Sequence, residues 1–201
     1  QMASISLTPE ERQGITAQKE ELETRLYRLL PELQPRIIEI NQVAKAIPNN
    51  GVLIEYQRYL PFAINKAPGE RWNYDQPRYL ALILKPNGSV NAIDLGLSQS
   101  IDDKIQQALN GTQKKGKEQA QKLWEEVGNL IINPLTTAIG GSNSWFISPD
   151  GELNQIPFAA LMAPSGNGFL GEAVQLRLLT TGRELLDLAK KSKSTNQKPL
   201  V

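Results

Sequence analysis

The first part of the chain shows the hydrophobic period of amphipathic helices. Residues 8–11, Thr-Pro-Glu-Glu, form a capping box with proline at the first helical position, which predicts a helix start. Behind it, apolar residues recur at mostly three- and four-residue steps: Ile15, Leu22, Leu26, Leu29 and Leu33. Pro31 and Pro35 mark the end of this helix, and we expect its apolar stripe to pack within the same protein.

A short helix and a strand are predicted next. The helix carries Ile37, Ile40, Val43, Ala44 and Ile47, and it ends before the turn cluster of residues 48–51. Residues 51–61 are rich in β-favouring side chains and are bounded by Gly51 and Pro61, which predicts a strand. The polar residues 63–77, with two prolines and one glycine, predict a loop or a hairpin excursion.

A β-hairpin is predicted over residues 78–95. Two apolar runs, YLALILK and SVNAIDL, flank Pro86-Asn87-Gly88. Asn-Gly is the usual pair for a tight turn because both residues tolerate positive φ angles.

Two helices should follow the hairpin. Ser98 or Ser100 caps the first, and Asp102 and Asp103 are interpreted as helix-start residues beside the helix dipole. Its apolar residues are Ile101, Ile105, Ala108 and Leu109. Asn110-Gly111 is expected to interrupt this helix. The second, longer helix carries Ala120, Leu123, Trp124, Val127, Leu130 and Ile131 and runs to about Pro134.

The C-terminal third alternates strands with turns. Residues 145–147 predict a short strand and Pro149-Asp150-Gly151 a turn, after which four apolar residues re-enter the core: Leu153, Ile156, Phe158 and Leu161. Residues 174–180 alternate, which predicts a half-buried strand with Val174, Leu176 and Leu178 inward and Gln175 and Arg177 outward. A last helix begins in TTGRELLDLAKK, and a polar linker precedes Pro199.

Composition limits the chemistry more than it limits the fold. The chain has 201 residues, a net charge of +1 and 40% apolar residues, which is typical of a folded protein and not of a nucleic-acid binder that acts through bulk charge. No window reaches the roughly 18 apolar residues of a membrane span, so a cytoplasmic protein without membrane contact is expected. The absence of both His and Cys excludes Ser-His and Cys-His pairs and thiolate metal sites in this chain.

Few residues are candidates for a site. Asp150 and Glu152 lie two apart, as acid/base carboxylates on one strand would. However, Pro149-Asp150-Gly151 favours a type I turn that leads into a left-handed glycine, with Glu152 at an exposed strand start. Arg183 at the last helix start is a candidate carboxylate ligand, with packing or an internal salt bridge as the alternative. The run Lys114–Lys117 is a solvated helix face or a contact for an anionic partner.

Two glycine clusters lack the signatures of a ligand site. Residues 140–142 and 166–168 match neither the phosphate-binding loop nor the dinucleotide fingerprint, so both are interpreted as ordinary loops. We therefore assign no catalytic, cofactor-binding or metal residue and expect no cofactor.

The order of these segments resembles the front part of the CHAT family, caspase-like domains associated with tetratricopeptide repeats and abundant in cyanobacteria. The similarity extends from about residue 36 to the end, and SPDGELNQIPFAAL and LLTTGRELL are its most specific segments. The resemblance implies a caspase-like α/β sandwich and a cysteine peptidase whose His-Cys dyad lies downstream of this chain. No position here matches the dyad motifs, so none is assigned.

These observations define the expected organisation. The fold class is α/β: N-terminal helices plus a mixed sheet with the hairpin at 78–95. Residues 1–47 form a helical segment, 48–190 the N-terminal part of a CHAT domain, and 191–201 a linker and the start of the next strand.

The expected function is a non-catalytic portion that supports a downstream peptidase dyad acting on protein substrates. Its expected partners are the remainder of the CHAT domain and tetratricopeptide repeats of the same polypeptide. The alternative is an interaction or oligomerisation module, in which residues 9–30 and an exposed sheet edge pair chains. A third hypothesis is a hydrolase that uses Asp150 and Glu152.

Overall fold

The computed structural model describes residues 18–19, 21–22, 24–26, 28–30, 38–62, 74–114 and 116–194, with backbone alone at 190–194. The chain divides into two compact units, residues 1–38 and 39–201. Residues 18–19, 21–22, 24–26 and 28–29 of the first unit are helical. The predicted capping box at 8–11 lies outside the described residues.

The second unit is built on a five-stranded mixed sheet of order β3-β2-β1-β4-β5. Its strands are β1 (Gly51–Tyr59), β2 (Arg78–Leu84), β3 (Val90–Leu97), β4 (Ser144–Ser148) and β5 (Gln175–Leu178). The first three strands pair antiparallel, whereas β1-β4 and β4-β5 are parallel. The α/β class and the mixed sheet with its hairpin are therefore confirmed.

Six helices accompany the sheet in the described part of this unit. They are α1 (Ile40–Ala46), α2 (Ser98–Lys114), α3 (Lys117–Ile131), α4 (Thr136–Ile139), α5 (Leu170–Ala173) and α6 (Glu184–Ser194). Short 3-10 turns lie at Asn133–Leu135, Gly151–Gln155 and Phe158–Ala160. The predicted short helix before β1, the longer helix after α2 and the last helix are all present. The last helix extends to Ser194, so the predicted linker is wrong for residues 191–194, and its remaining residues lie outside those described.

The main core lies on one face of the sheet. Alternate residues of the three central strands point to it: Val52, Ile54 and Tyr56 from β1, Tyr79, Ala81 and Ile83 from β2, and Trp145 and Ile147 from β4. α2 and α3 cover this face with Ile101, Ile105, Trp124, Val127 and Ile131. The four apolar residues predicted to re-enter the core after β4 are all buried there as well.

The opposite face of the sheet is covered by α1 and α6. Leu53, Leu84 and Phe146 point to this side and are buried. α1 and α6 contact each other, and the backbone just before α6 lies against Leu53. Helices thus flank both faces. The first four residues of β1 and the centre of β4 are continuous apolar runs because neither side of these segments meets water.

The hairpin turn differs from the predicted one. Gly88 has a φ of +83°, but no residue other than glycine has a positive φ among those described, so Asn87 does not adopt the conformation of a type I′ turn. The Gly88 N–H donates to the Lys85 carbonyl at 2.9 Å, and the Lys85 N–H donates to Ser89. Pro86 favours the second position of an ordinary type I turn, and Gly88 supplies the left-handed residue that follows it.

The predicted interruption at Asn110-Gly111 is wrong, because α2 continues to Lys114. Gly111 is buried, and Thr112 Oγ1 donates to the Ala108 carbonyl and accepts from Trp124 Nε1, both at 2.9 Å. Glycine costs a helix about 1 kcal/mol relative to alanine. Packing and bonding between α2 and α3 offset that cost.

The predicted alternation of the last strand is only partly correct. Gln175 and Arg177 are exposed and Leu176 is half-buried, but Leu178 is 54% exposed and Leu179 is buried instead. β5 is an edge strand, so the helices that cover the central strands do not extend over its end. The alternation of residues along a strand predicts to which face of the sheet a side chain points. It does not predict whether another element covers that face.

The leucine stripe of the first unit is exposed. Leu22, Leu26 and Leu29 have exposed fractions of 66%, 42% and 72%. Their helical spacing agrees with the predicted amphipathic helix. The expected packing of the stripe is not seen among the described residues.

We expect Ile147→Ala to lower the free energy of unfolding by about 2–4 kcal/mol, because Ile147 is fully buried at the centre of the sheet. Leu178→Ala should cost under about 0.5 kcal/mol, since its side chain is mostly solvated. Urea unfolding followed by circular dichroism measures both. Equal losses would contradict the exposure of Leu178.

Candidate functional site

The parallel strands β1, β4 and β5 end at one edge of the sheet. In open α/β sheets this carboxyl edge is where ligands and catalytic groups usually lie. Two turns meet there: Ser148–Gly151 after β4 and Thr180–Gly182 after β5. These turns belong to the two most specific segments of the family resemblance, so their side chains are the first candidates for chemistry.

Asp150 is committed to backbone donors. Its Oδ1 accepts from the Gly151 N–H and its Oδ2 from the Arg58 N–H, each at 2.8 Å. Asp150 has extended backbone angles, φ −133° and ψ 154°, and caps the 3-10 turn Gly151–Gln155. The carboxylate therefore links the turn after β4 to the end of β1.

The structure corrects the expected position of Glu152. It lies inside the 3-10 turn and not at an exposed strand start. Its carboxylate accepts from Gln106 Nε2 at 3.0 Å and from Gln155 Nε2, whereas Asp150 has other partners. The two carboxylates are not on one strand face. The predicted type I turn is wrong, because Asp150 at its third position is extended, but the left-handed glycine predicted after it is present, with Gly151 at φ +58°.

Tyr79 is the central residue of this edge, and the sequence pattern did not single it out. Its side chain is fully buried. The hydroxyl donates to Asp102 Oδ1 at 2.9 Å and accepts from the Glu152 N–H at 3.1 Å. Burial, and then the hydrogen bond to the Asp102 carboxylate, raise the pKa of Tyr79 well above its usual range. The phenol thus stays neutral and cannot serve as a base near pH 7.

Asp102 is more than a helix-start residue. α2 begins at Ser98, so Asp102 lies about one turn inside it. Its carboxylate receives the Tyr79 hydroxyl and lies 3.9 Å from Arg58 Nε. The signal available in the sequence was the inward parity of Tyr79 in β2: a buried phenol hydroxyl needs a partner.

The close approach of backbone to Tyr79 requires glycine at position 151. A Cβ atom there would lie 2.6 Å from the Tyr79 hydroxyl oxygen and 3.3 Å from Arg58 Cδ. The positive φ independently disfavours other residues. Gly151 therefore serves both the turn and the contact.

The turn after β5 is closed by a second set of internal bonds. Ser148 Oγ donates to the Thr180 carbonyl at 3.1 Å, and the Gly182 N–H donates to Glu55 Oε1 at 2.8 Å. The Thr180 N–H donates to Glu184 Oε1 at 2.9 Å. A Cβ at Gly182 would lie 2.5 Å from Leu53 Cδ2 and 2.9 Å from Glu55 Oε1, so a larger residue would displace these side chains.

The remaining candidate site residues take no part in these hydrogen bonds. Arg183 is exposed and makes no ion pair with any residue that the structure describes. Lys114 ends α2 and Lys117 begins α3, and both side chains are exposed. The glycine clusters form loops, with Gly140, Gly166 and Gly168 at positive φ.

The described side chains at the carboxyl ends of these strands hold backbone segments in position. Within the described ranges, no three Asp or Glu side chains are grouped as metal ligands, and every buried side-chain nitrogen or oxygen has a partner. No helix in the described part of the chain is long and apolar enough to cross a membrane. The polar groups of the two turns form hydrogen bonds with one another and with groups of β1 and β2.

An α/β sheet flanked by helices, with two turns at the carboxyl ends of its parallel strands, defines the class of the fold as α/β. Residues 117–201 match the family model of the CHAT domain, so the match begins at the first residue of α3. No curated protein matches the chain. The predicted resemblance to the CHAT family is confirmed over these residues; before residue 117 it stays a prediction.

We expect a coupled effect at Gly151 and Tyr79. Gly151→Ala should cost about 2–4 kcal/mol of unfolding free energy through the clash and the positive φ, and Tyr79→Phe about 1–2 kcal/mol through lost hydrogen bonds. The double variant should lose less than the sum, because removing the hydroxyl removes the nearest atom of the clash. Urea unfolding of the four proteins measures the coupling.

Gly166→Ala is the matched control for the cost of placing alanine at a positive φ. Gly166 has φ +75°, but a Cβ there would meet nothing within 4 Å. Its cost should stay near 1 kcal/mol. Strict additivity between Gly151→Ala and Tyr79→Phe would show that their contact is unimportant.

Stability should fall in alkaline solution through Tyr79 and Tyr56. The Tyr56 hydroxyl donates to the Ile131 carbonyl at 2.9 Å, and burial raises its pKa. A tyrosine whose pKa is raised in the folded state stabilises the fold. This stabilisation is complete below the pKa of tyrosine in the unfolded chain, near 10, and is lost as the pH rises above that value. Each tyrosine contributes at most about 1.4 kcal/mol per pH unit. The matching phenylalanine variant should therefore show a shallower loss between pH 10 and 11.5, and identical slopes would refute the assignment.

Proposed function

We propose that this chain is the N-terminal, non-catalytic portion of a CHAT caspase-like cysteine peptidase. In this proposal it supports a His-Cys dyad that lies downstream of Val201. The observation that carries the proposal is the CHAT match starting at α3, on a chain that contains neither His nor Cys.

The internal bonding of the two edge turns supports a structural role. The side chains of Asp150, Ser148 and Glu55 form hydrogen bonds that hold these turns to β1 and to each other. Tyr79 is fully buried beneath the first turn. A rigid edge of this kind suits a domain that shapes its neighbour, since catalytic geometry is best held by elements with locked side chains.

The proposal includes the expected surroundings of the chain. In this proposal, a further strand follows α6, and the remainder of the CHAT domain and tetratricopeptide repeats of the same polypeptide are the chain's partners. Its substrate is a protein chain, and its compartment is the cytoplasm.

The test is peptidase activity of the natural polypeptide that contains this chain. Fluorogenic peptides with basic or acidic residues at the cut site are incubated with that polypeptide, with residues 1–201 alone, and with a variant in which the presumed downstream cysteine is alanine. We expect cleavage by the first protein only. Equal turnover by the cysteine variant would refute the mechanism, and cleavage by residues 1–201 alone would refute the non-catalytic role.

Structural support is tested in the same assay by Gly151→Ala in the natural polypeptide. We expect lower thermal stability and lower kcat/KM, because the Tyr79 contact is disrupted. Gly166→Ala should leave kcat/KM within about twofold, since its added Cβ meets no neighbour. Unchanged activity of a demonstrably destabilised Gly151→Ala protein would contradict the supporting role.

The second candidate function is an association module formed by the leucine stripe. The observation in its favour is the exposure of Leu22, Leu26 and Leu29 at helical spacing, since exposed apolar stripes favour helix pairing. Light scattering separates the two: a single-chain mass at high concentration counts against association and leaves the peptidase proposal untouched.

A further inference from the structure

The chain contains four asparagine residues that are directly followed by glycine, and this pair is prone to spontaneous deamidation. The pairs are Asn50-Gly51, Asn87-Gly88, Asn110-Gly111 and Asn167-Gly168. In this reaction the backbone nitrogen of the glycine attacks the side-chain carbonyl carbon of the asparagine. Glycine favours the attack because it has no side chain that hinders the approach. All four pairs meet this requirement of sequence, so the fold decides which of them reacts.

Three of the four glycine nitrogens are held by hydrogen bonds of the fold. The Gly51 N–H donates to the Pro48 carbonyl at 2.8 Å, and the Gly88 N–H donates to the Lys85 carbonyl at 2.9 Å. Gly111 lies inside α2, where its N–H belongs to the hydrogen bonds of the helix. A backbone nitrogen attacks only after it has lost its proton and turned towards the side chain. A hydrogen bond from that N–H opposes both steps.

Two of the asparagine side chains in these three pairs are restrained as well. Asn50 Nδ2 donates to Asn143 Oδ1. Asn87 Oδ1 accepts from the backbone N–H of Ser89 at 2.9 Å and from its hydroxyl at 2.7 Å. These side chains must give up their hydrogen bonds before they can meet the glycine nitrogen, which slows the reaction further.

Asn167-Gly168 has none of these restraints. Both residues are exposed, and they lie in the loop between the 3-10 turn Phe158–Ala160 and α5. Neither the Gly168 N–H nor the Asn167 side chain forms a hydrogen bond with any residue that the structure describes. The Asn167 N–H is held by one long contact, to Ser165 Oγ at 3.4 Å. The nucleophile and the carbonyl carbon of this pair are therefore both free to meet.

We propose that Asn167 is the residue at which the folded protein deamidates. The Gly168 nitrogen gives up its proton and bonds to Asn167 Cγ, and the side-chain nitrogen takes up a proton and leaves as ammonia. Water then opens the five-membered imide. Cleavage at Cγ gives aspartate, and cleavage at the main-chain carbonyl carbon gives isoaspartate. This modification does not depend on the proposed function.

The modification changes the loop in two ways. Both products add a negative charge near the Glu172 carboxylate, since a Cβ on Gly168 would lie 2.9 Å from Glu172 Oε2. Isoaspartate also lengthens the main chain by one carbon just before Gly168, whose carbonyl accepts from the Ala163 N–H at 3.0 Å. We expect the isoaspartyl form to lose this hydrogen bond, which faster hydrogen exchange of the Ala163 amide would report.

The test compares the four sites in the full chain. The folded protein is incubated in warm, mildly alkaline buffer, and each site is followed by peptide mapping with a fragmentation method that distinguishes aspartate from isoaspartate. We expect Asn167 to deamidate at least about fivefold faster than each of the other three asparagines, which is the factor that one hydrogen bond provides. In guanidinium chloride the fold is lost, and the four rates should agree within about twofold.

Two variants check the assignment. Asn167→Gln should remove most of the modification, because attack on glutamine closes a less favourable six-membered ring. Asn110→Gln is the matched control, since Asn110 is also exposed and also precedes glycine, and it should leave the total rate unchanged. Circular dichroism checks that both variants are folded.

Equal rates at the four sites of the folded chain, or a faster rate at another of them, would overturn the proposal. The same preference for Asn167 in guanidinium chloride would also overturn it, because the neighbouring residues and not the fold would then select the site.

Discussion

Burial of both faces of β4 and of the first four residues of β1 is the constraint on which the rest of the structure depends. A strand covered on two sides has no polar face, so helices must lie above and below it. Val52, Ile54 and Ile147 fill the main core, while Leu53 and Phe146 fill the other. Polar chemistry is thereby excluded from the body of the sheet and confined to its edges and to the ends of its strands.

The carboxyl edge is organised by groups that cannot be left unpaired. The buried Tyr79 hydroxyl is satisfied only where Asp102 and the Glu152 N–H converge, and that convergence needs the side-chain-free surface of Gly151. Gly182 has the equivalent role between Leu53 and Glu55. The polar groups of the two turns are thus used to hold backbone segments together.

Local sequence patterns predicted the helices and strands well. They predicted less well how other elements pack around them. The hairpin, the burial of Ile156 and Phe158 and the left-handed Gly151 follow from period and turn preference, which act over a few residues. Asn110-Gly111 was misjudged because packing of α3 outweighs a glycine's cost. Leu178 was misjudged because period assigns a face, while exposure depends on whether another element covers it.

The sequence by itself determined the α/β class, the family resemblance and the absence of a His- or Cys-based site, since each depends on residue identity and local order. Only the tertiary structure joined Tyr79 to Asp102 and Glu152, and Glu55 to Gly182. These partners lie between 23 and 127 positions apart. Contacts over such separations depend on how strands and turns pack together, which no local periodicity encodes.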